Sequence, residues 1–179
     1  MNSKICLSLF DLQLGPQILF TQNINEEEAK NVAMKSILAL SGVQEVIKDA
    51  VDGILPLPDH DIVFYAYIFP LRLKKEIRGL LFTTAALAIL IPKAEASILY
   101  QNASLLQIQA KEIANQIQSD FVYEPGLSLP RALRKLLTDW SIDKQVFLEQ
   151  TTATEKYVIE PLGKMTVVTA SRGCPYSCC

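Results

Sequence analysis

The sequence predicts an α/β domain of the α+β kind, an antiparallel sheet packed by helices, and three observations carry that prediction. Two pairs of β-prone runs stand close together in the chain, each pair joined by a short polar or charged link, which is the order of hairpins. A long stretch without Gly or Pro repeats its apolar residues at helical spacing. The 179 residues are 50% hydrophobic and 20% charged, with a mean hydropathy of +0.21, enough apolar surface for one buried core.

The elements follow in order. Residues 4–10 (KICLSLF) alternate apolar with small or polar side chains, and residues 17–21 (QILFT) form a second β-prone run. Asp11 to Pro16 between them is turn chemistry, so the chain opens with a hairpin. Asn25 followed by Glu26, Glu27 and Glu28 places an N-cap and three carboxylates at a helix start. Ala29, Val32, Ala33, Ser36, Ile37 and Leu40 then repeat at helical spacing up to a Ser41-Gly42 stop. A short amphipathic helix is expected around Val43 to Val51, followed by a bend at Pro56-Leu57-Pro58. Asp61 to Leu71 and Gly79 to Ile91 read as two long central strands joined by a charged loop, Arg72 to Arg78. Pro92 ends the second of them. Ala94 to Phe121 reads as one long helix that can cover the sheet. After the Glu124-Pro125-Gly126 break, Leu129 to Trp140 reads as a shorter helix with Pro130 near its first turn. Weak β runs are expected within residues 146–159 and at Met165 to Val168.

The text LSLFDLQLGPQILFTQN at residues 7–23, with Arg78-Gly79 opening a long apolar strand, resembles the longin-type domains of trafficking and small-GTPase regulatory proteins. The resemblance implies a longin-like antiparallel sheet of about five strands in the order 2-1-5-4-3 or a close variant of it, flanked by the Ala94 to Phe121 helix. It also implies a docking or assembly platform whose protein partner is a small GTPase or another longin or roadblock-like subunit. Gly15, Pro16, Arg78 and Gly79 are the candidate interaction residues, although simple turn formation and a solvated loop charge are the better account of them. On this reading residues 1–125 form the longin-like domain. Residues 126–179 form a helical and β extension with a Cys-rich tail.

A catalytic site is not expected. The single His, His60, lies in a bend between Asp59 and Asp61 and reads as a surface residue rather than a general base. No G-x-S-x-G elbow and no phosphate-binding glycine loop occurs. Glu26, Glu27 and Glu28 point about 100° apart on a helix and cannot converge on one ion, so they read as a solvated helix start. A net charge of −2 with a pI near 5.5 and no basic stripe argues against nucleic acid. The apolar run Leu80 to Pro92 is too short to span a bilayer as a helix, and no signal-peptide core follows Met1. A cytoplasmic protein is expected, with a peripheral membrane location only if its tail is lipidated.

The tail from Thr169 to Cys179 supports three readings. Cys174 and Cys178 resemble the first two ligands of the radical S-adenosylmethionine C-x-x-x-C-x-x-C motif. That would make the chain the N-terminal fragment of an enzyme whose cofactors are a 4Fe-4S cluster and S-adenosylmethionine. Cys178 and Cys179 resemble the doubly prenylated end of Rab-type GTPases. The third reading is an unmodified tail with free thiols and no cofactor.

Overall fold

A computed structural model of the chain describes residues 4–11, 13–42 and 46–142, all within the first of the two units into which the chain divides, Met1–Lys144. Among the described residues the strands are β1 (Lys4–Asp11), β2 (Gly15–Gln22), β3 (Val51–Leu57), β4 (Ile62–Ile77) and β5 (Leu80–Pro92). The helices are α1 (Glu26–Ser41), α2 (Ala96–Gln101), α3 (Ala103–Asp120) and α4 (Arg131–Asp139). All strand pairs are antiparallel, and the sheet order is β2-β1-β5-β4-β3. This is the order that the longin resemblance implies.

Helices cover both faces of the sheet. Side chains alternate along a strand, so Leu7, Tyr65 and Leu87 pack with Leu106, Ala110 and Ile117 of α3 on one face. Cys6, Phe64, Ala88 and Leu90 pack with Ala29 and Val32 of α1 on the other. In β5 every residue from Thr83 to Ile91 is buried. A strand with two dry faces has no polar side to display, which is why this stretch, after the buried Thr83 and Thr84, reads as a continuous apolar run.

Helix α1 starts as its sequence dictates. The Asn25 side chain accepts a hydrogen bond from the Glu28 amide at 2.8 Å, satisfying one of the orphan donors of the first turn. Glu26 pairs with Lys30 at 2.6 Å on the exposed side. Glu28 corrects the expectation of a fully solvated start: it is buried, and Lys4 of β1 meets its carboxylate at 3.0 Å. This ion pair ties the helix to the sheet and keeps a buried charge compensated.

Three further elements differ from their sequence reading. Residues 46–50 are not helical, and Val51–Leu57 is a strand, with Val51 opposite Ile68 and Leu57 opposite Ile62. Pairing along β4 overrides the local helical spacing, and Pro56 is tolerated because β3 is an edge. The bend falls at Pro58–His60, a single 3-10 turn. The expected charged loop is strand: β4 runs on to Ile77, and only Arg78 and Gly79 separate it from β5. Their φ values of 52° and 81° fit a two-residue type I′ turn, which glycine accommodates without penalty. The expected single helix is two, broken at Asn102. Its buried side chain donates to the Ile98 carbonyl at 2.8 Å, and its own amide donates to the same oxygen at 3.1 Å. A side chain that bonds the preceding turn in this way competes with helix continuation.

Helix α4 presents Leu133 and Leu137 to the same cluster as α3, joined there by Leu129 before it and Trp140 after it. The Trp140 indole donates to the Gln109 side chain of α3 at 3.2 Å. The β runs expected within 146–159 and at 165–168 lie outside the described residues.

Leu87, fully buried on the central strand, is the most direct probe of this packing. Truncation to alanine is expected to cost about 2–5 kcal/mol, read as a lower midpoint in urea unfolding with an unchanged slope.

Candidate functional site: the open sheet edge and the turn end

The two edges of the sheet are chemically unlike. β3 (VDGILPL) carries a charge at Asp52, a strand-weakening Gly53 and Pro56, which has no amide hydrogen to donate. Such features blunt an edge against further pairing. β2 (GPQILFTQ) has no charged residue along its eight positions. Among the described residues it pairs with β1 on one side and is terminal in the sheet on the other, so half of its backbone donors and acceptors face away from β1. Its Ile18, Leu19 and Phe20 are half-buried. Leu19 is the extra residue where the register shifts, since Leu7 pairs with Phe20 and Ser8 with Ile18. This bulge and Pro16 at the strand's start are the protections β2 does have.

The turn that leads into β2 is held from the inside. Asp11 closes β1 with a buried carboxylate. One of its oxygens accepts from the amides of Gln13 at 2.8 Å and Leu14 at 2.9 Å, an arrangement characteristic of Asp in turns. The other accepts from the Tyr123 hydroxyl at 3.3 Å. Tyr123 is fixed in turn by its backbone, which bonds the Arg72 carbonyl and the Lys74 amide of β4, each at 2.9 Å. Thr83 of β5 donates its hydroxyl to the Phe10 carbonyl. Together these contacts pin the β1–β2 turn, the start of β5 and the segment after α3 at one end of the sheet.

The sequence-selected residues fall at that end. Gly15, at φ 79°, and Pro16 open β2, with Pro16 opposite Phe10. Arg78 and Gly79 form the β4–β5 turn. β1 and β5 are antiparallel, with Lys4 opposite Leu90 and Leu9 opposite Ala85, so both turns lie at the same end of the sheet. The four residues share that end through the topology, on two separate turns. His60 lies in the 3-10 turn, where its Nε2 is 3.1 Å from the Asn31 side-chain nitrogen. Cys174, Cys178 and Cys179 lie outside the described residues. Sequence reasoning missed the Asp11–Tyr123 contact. Asp11 was legible as a turn former, but nothing local points to a partner 112 residues away.

On the helix layer, α3 and α4 flank a groove of about 550 Å³, lined by the apolar Ile113, Leu133, Leu136 and Trp140 and the acidic Glu112, Asp120 and Asp139 among others. Among the described residues no group of three or more His, Cys, Asp or Glu side chains is placed to hold a metal ion, and no helix is long and apolar enough to cross a membrane. Cys6 is buried beneath α1, and loss of hydration pushes its thiol pKa up to about 12. Such a thiol is a packing group rather than a nucleophile. Burial, with the Asp11 charge and hydrogen bond, pushes the Tyr123 phenol up to about 12.

No protein-family model matches the chain, and no curated protein matches it. Among solved structures, the chain is similar to the K. lactis Lst4 longin domain, at 12% sequence identity and a TM-score of 0.47, over 88% of this chain and 95% of that one.

The raised acidities set an alkaline limit on stability. The unfolded thiol ionises near 9.0, whereas folded Cys6 keeps its proton to about 12, so between these values the unfolded state binds fewer protons and stability falls as pH rises. Tyr123 adds a loss in the same direction between 10.0 and about 12. Cys6→Ala is therefore expected to make the decline from pH 9 to 12 shallower than in the parent. Equal slopes in urea titrations across that range would contradict the buried-thiol account.

Proposed function

We propose that the chain is a non-catalytic protein-binding module of the longin type, acting as a scaffold or regulator in membrane-trafficking-type assemblies. The observation that carries this reading is β2, an uncharged edge strand with outward-facing backbone groups and half-buried Ile18, Leu19 and Phe20. An edge of this kind offers main-chain hydrogen bonds to an added strand, while alternate side chains supply selectivity. The Asp11 lock beneath the β1–β2 turn supports the same reading, because it keeps Gly15 and Pro16 in one conformation at the mouth of that edge. A rigid edge loses little entropy on binding.

The partner class follows from the resemblance of residues 7–23 to longin-type domains: a small GTPase, or a second longin or roadblock-like subunit. The test is a binding titration of the full chain against small GTPases in both nucleotide states and against longin and roadblock-like subunits. A Gln17→Lys/Thr21→Lys variant places charges on β2, one of them at an exposed position, without touching the core clusters. It is expected to keep its unfolding free energy within about 0.5 kcal/mol of the parent and to weaken partner binding by about tenfold or more. Binding that is indifferent to both lysines would remove β2 as the docking edge, and silence across the whole panel would remove the reading itself.

A further inference from the structure

The β4–β5 hairpin continues well past the rest of the sheet. The last β1–β5 pair is Leu9 with Ala85, yet β4 and β5 run on to Ile77 and Leu80. Along the described residues of this tip the cations are Arg72, Lys74, Lys75 and Arg78, all exposed. Lys74 is paired with Glu124 at 2.6 Å, whereas Arg72, Lys75 and Arg78 have no ion pair among the described residues. Glu76 is the one acidic residue between Arg72 and Leu80 and is exposed as well. Glu124 lies near Lys74 and Lys75, so four cations face two carboxylates and a chain of net charge −2 still gathers net positive charge at this end.

The same tip exposes large apolar side chains, Leu81 at 51% and Phe82 at 47%. They are consecutive in β5, whose successive side chains alternate in direction. Phe82 stands opposite Arg72, and the register then shifts, with Leu73 to Glu76 of β4 lying between that pair and the pair of Ile77 with Leu80. Leu14, 64% exposed at the β1–β2 turn, lies at the same end of the sheet. A groove on a protein partner would cover one face of such a ribbon and leave the other wet. A lipid headgroup layer surrounds an inserted tip and takes up both.

We propose that the β4–β5 hairpin tip docks the chain onto an anionic lipid surface, Leu81 and Phe82 entering the headgroup region and Arg72, Lys75 and Arg78 meeting lipid phosphates and carboxylates. This surface is separate from the β2 edge, and the two proposals stand or fall independently. Apolar insertion and electrostatic attraction add in interfacial binding, and each cation near an anionic leaflet contributes about fivefold in affinity.

The test is sedimentation of the full chain with vesicles of phosphatidylcholine alone and of phosphatidylcholine mixed with phosphatidylserine, at low and high salt. Binding to the mixed vesicles, weakened by salt and absent with phosphatidylcholine alone, is expected. Arg72→Gln/Lys75→Gln/Arg78→Gln is expected to weaken it about a hundredfold. Leu81→Ser/Phe82→Ser should weaken it as well, while the circular dichroism of both variants matches the parent. Failure to bind the mixed vesicles, equal binding to both kinds, or binding unaffected by either variant would overturn the proposal. Capture of polyglutamate through the same three cations without vesicle binding would overturn it too, and would assign the tip to an acidic protein segment.

Discussion

The structure depends on β5 being paired on both sides and dry on both faces. It is the strand that joins the N-terminal hairpin to the β4–β3 half of the sheet, and it buries every side chain from Thr83 to Ile91. That double burial forces the helices to divide, α1 to one face and α2, α3 and α4 to the other, because an apolar face left open would cost more than the connections needed to cover it. The ion pair between Lys4 and Glu28, the Asn25 cap and the break at Asn102 are local adjustments that let helices of these lengths fit over a sheet already defined by its centre.

With both faces covered, the sheet has only its edges and ends left to offer. The two edges have been treated differently: Asp52, Gly53 and Pro56 close β3 to pairing, while β2 keeps an uncharged backbone row whose only interruptions are the Leu19 bulge and Pro16. The ends differ too, since the hairpin tip gathers cations on a chain that is acidic as a whole. Charge and hydrogen-bonding capacity are therefore segregated onto two surfaces, compatible with one module touching two unlike neighbours at once.

Much of this was legible in the sequence. Residues 4–10 and 17–21, the Asn25 cap, the Pro92 stop and the helix after Pro130 are local signals, and local signals survive folding when the tertiary context agrees with them. The departures occur where a distant partner decides. Val51–Leu57 became a strand because β4 lies beside it, and the charged Arg72–Ile77 stretch became strand because it continues β4 and bonds Tyr123. Asn102 interrupts a periodicity that its neighbours would have continued, through a single side-chain hydrogen bond that apolar spacing does not register. At the candidate site, the Gly15-Pro16 and Arg78-Gly79 turns were visible as turns. That they share one end of the sheet follows only from the pairing of β1 with β5, which no local signal encodes.

That pairing has a consequence for how the chain is made. Each hairpin closes between neighbours in the sequence, a fast event, whereas β1 meets β5 only after the residues up to Pro92 have left the ribosome. An isolated two-stranded hairpin is marginally stable at best in water, so the first hairpin depends on β5 to hold it. Arrival of β5 completes the core and, in the same step, withdraws β1 from competition for stray strands. What remains accessible on that half of the described sheet is β2, so the same pairing that completes the core also fixes which edge is left for another molecule.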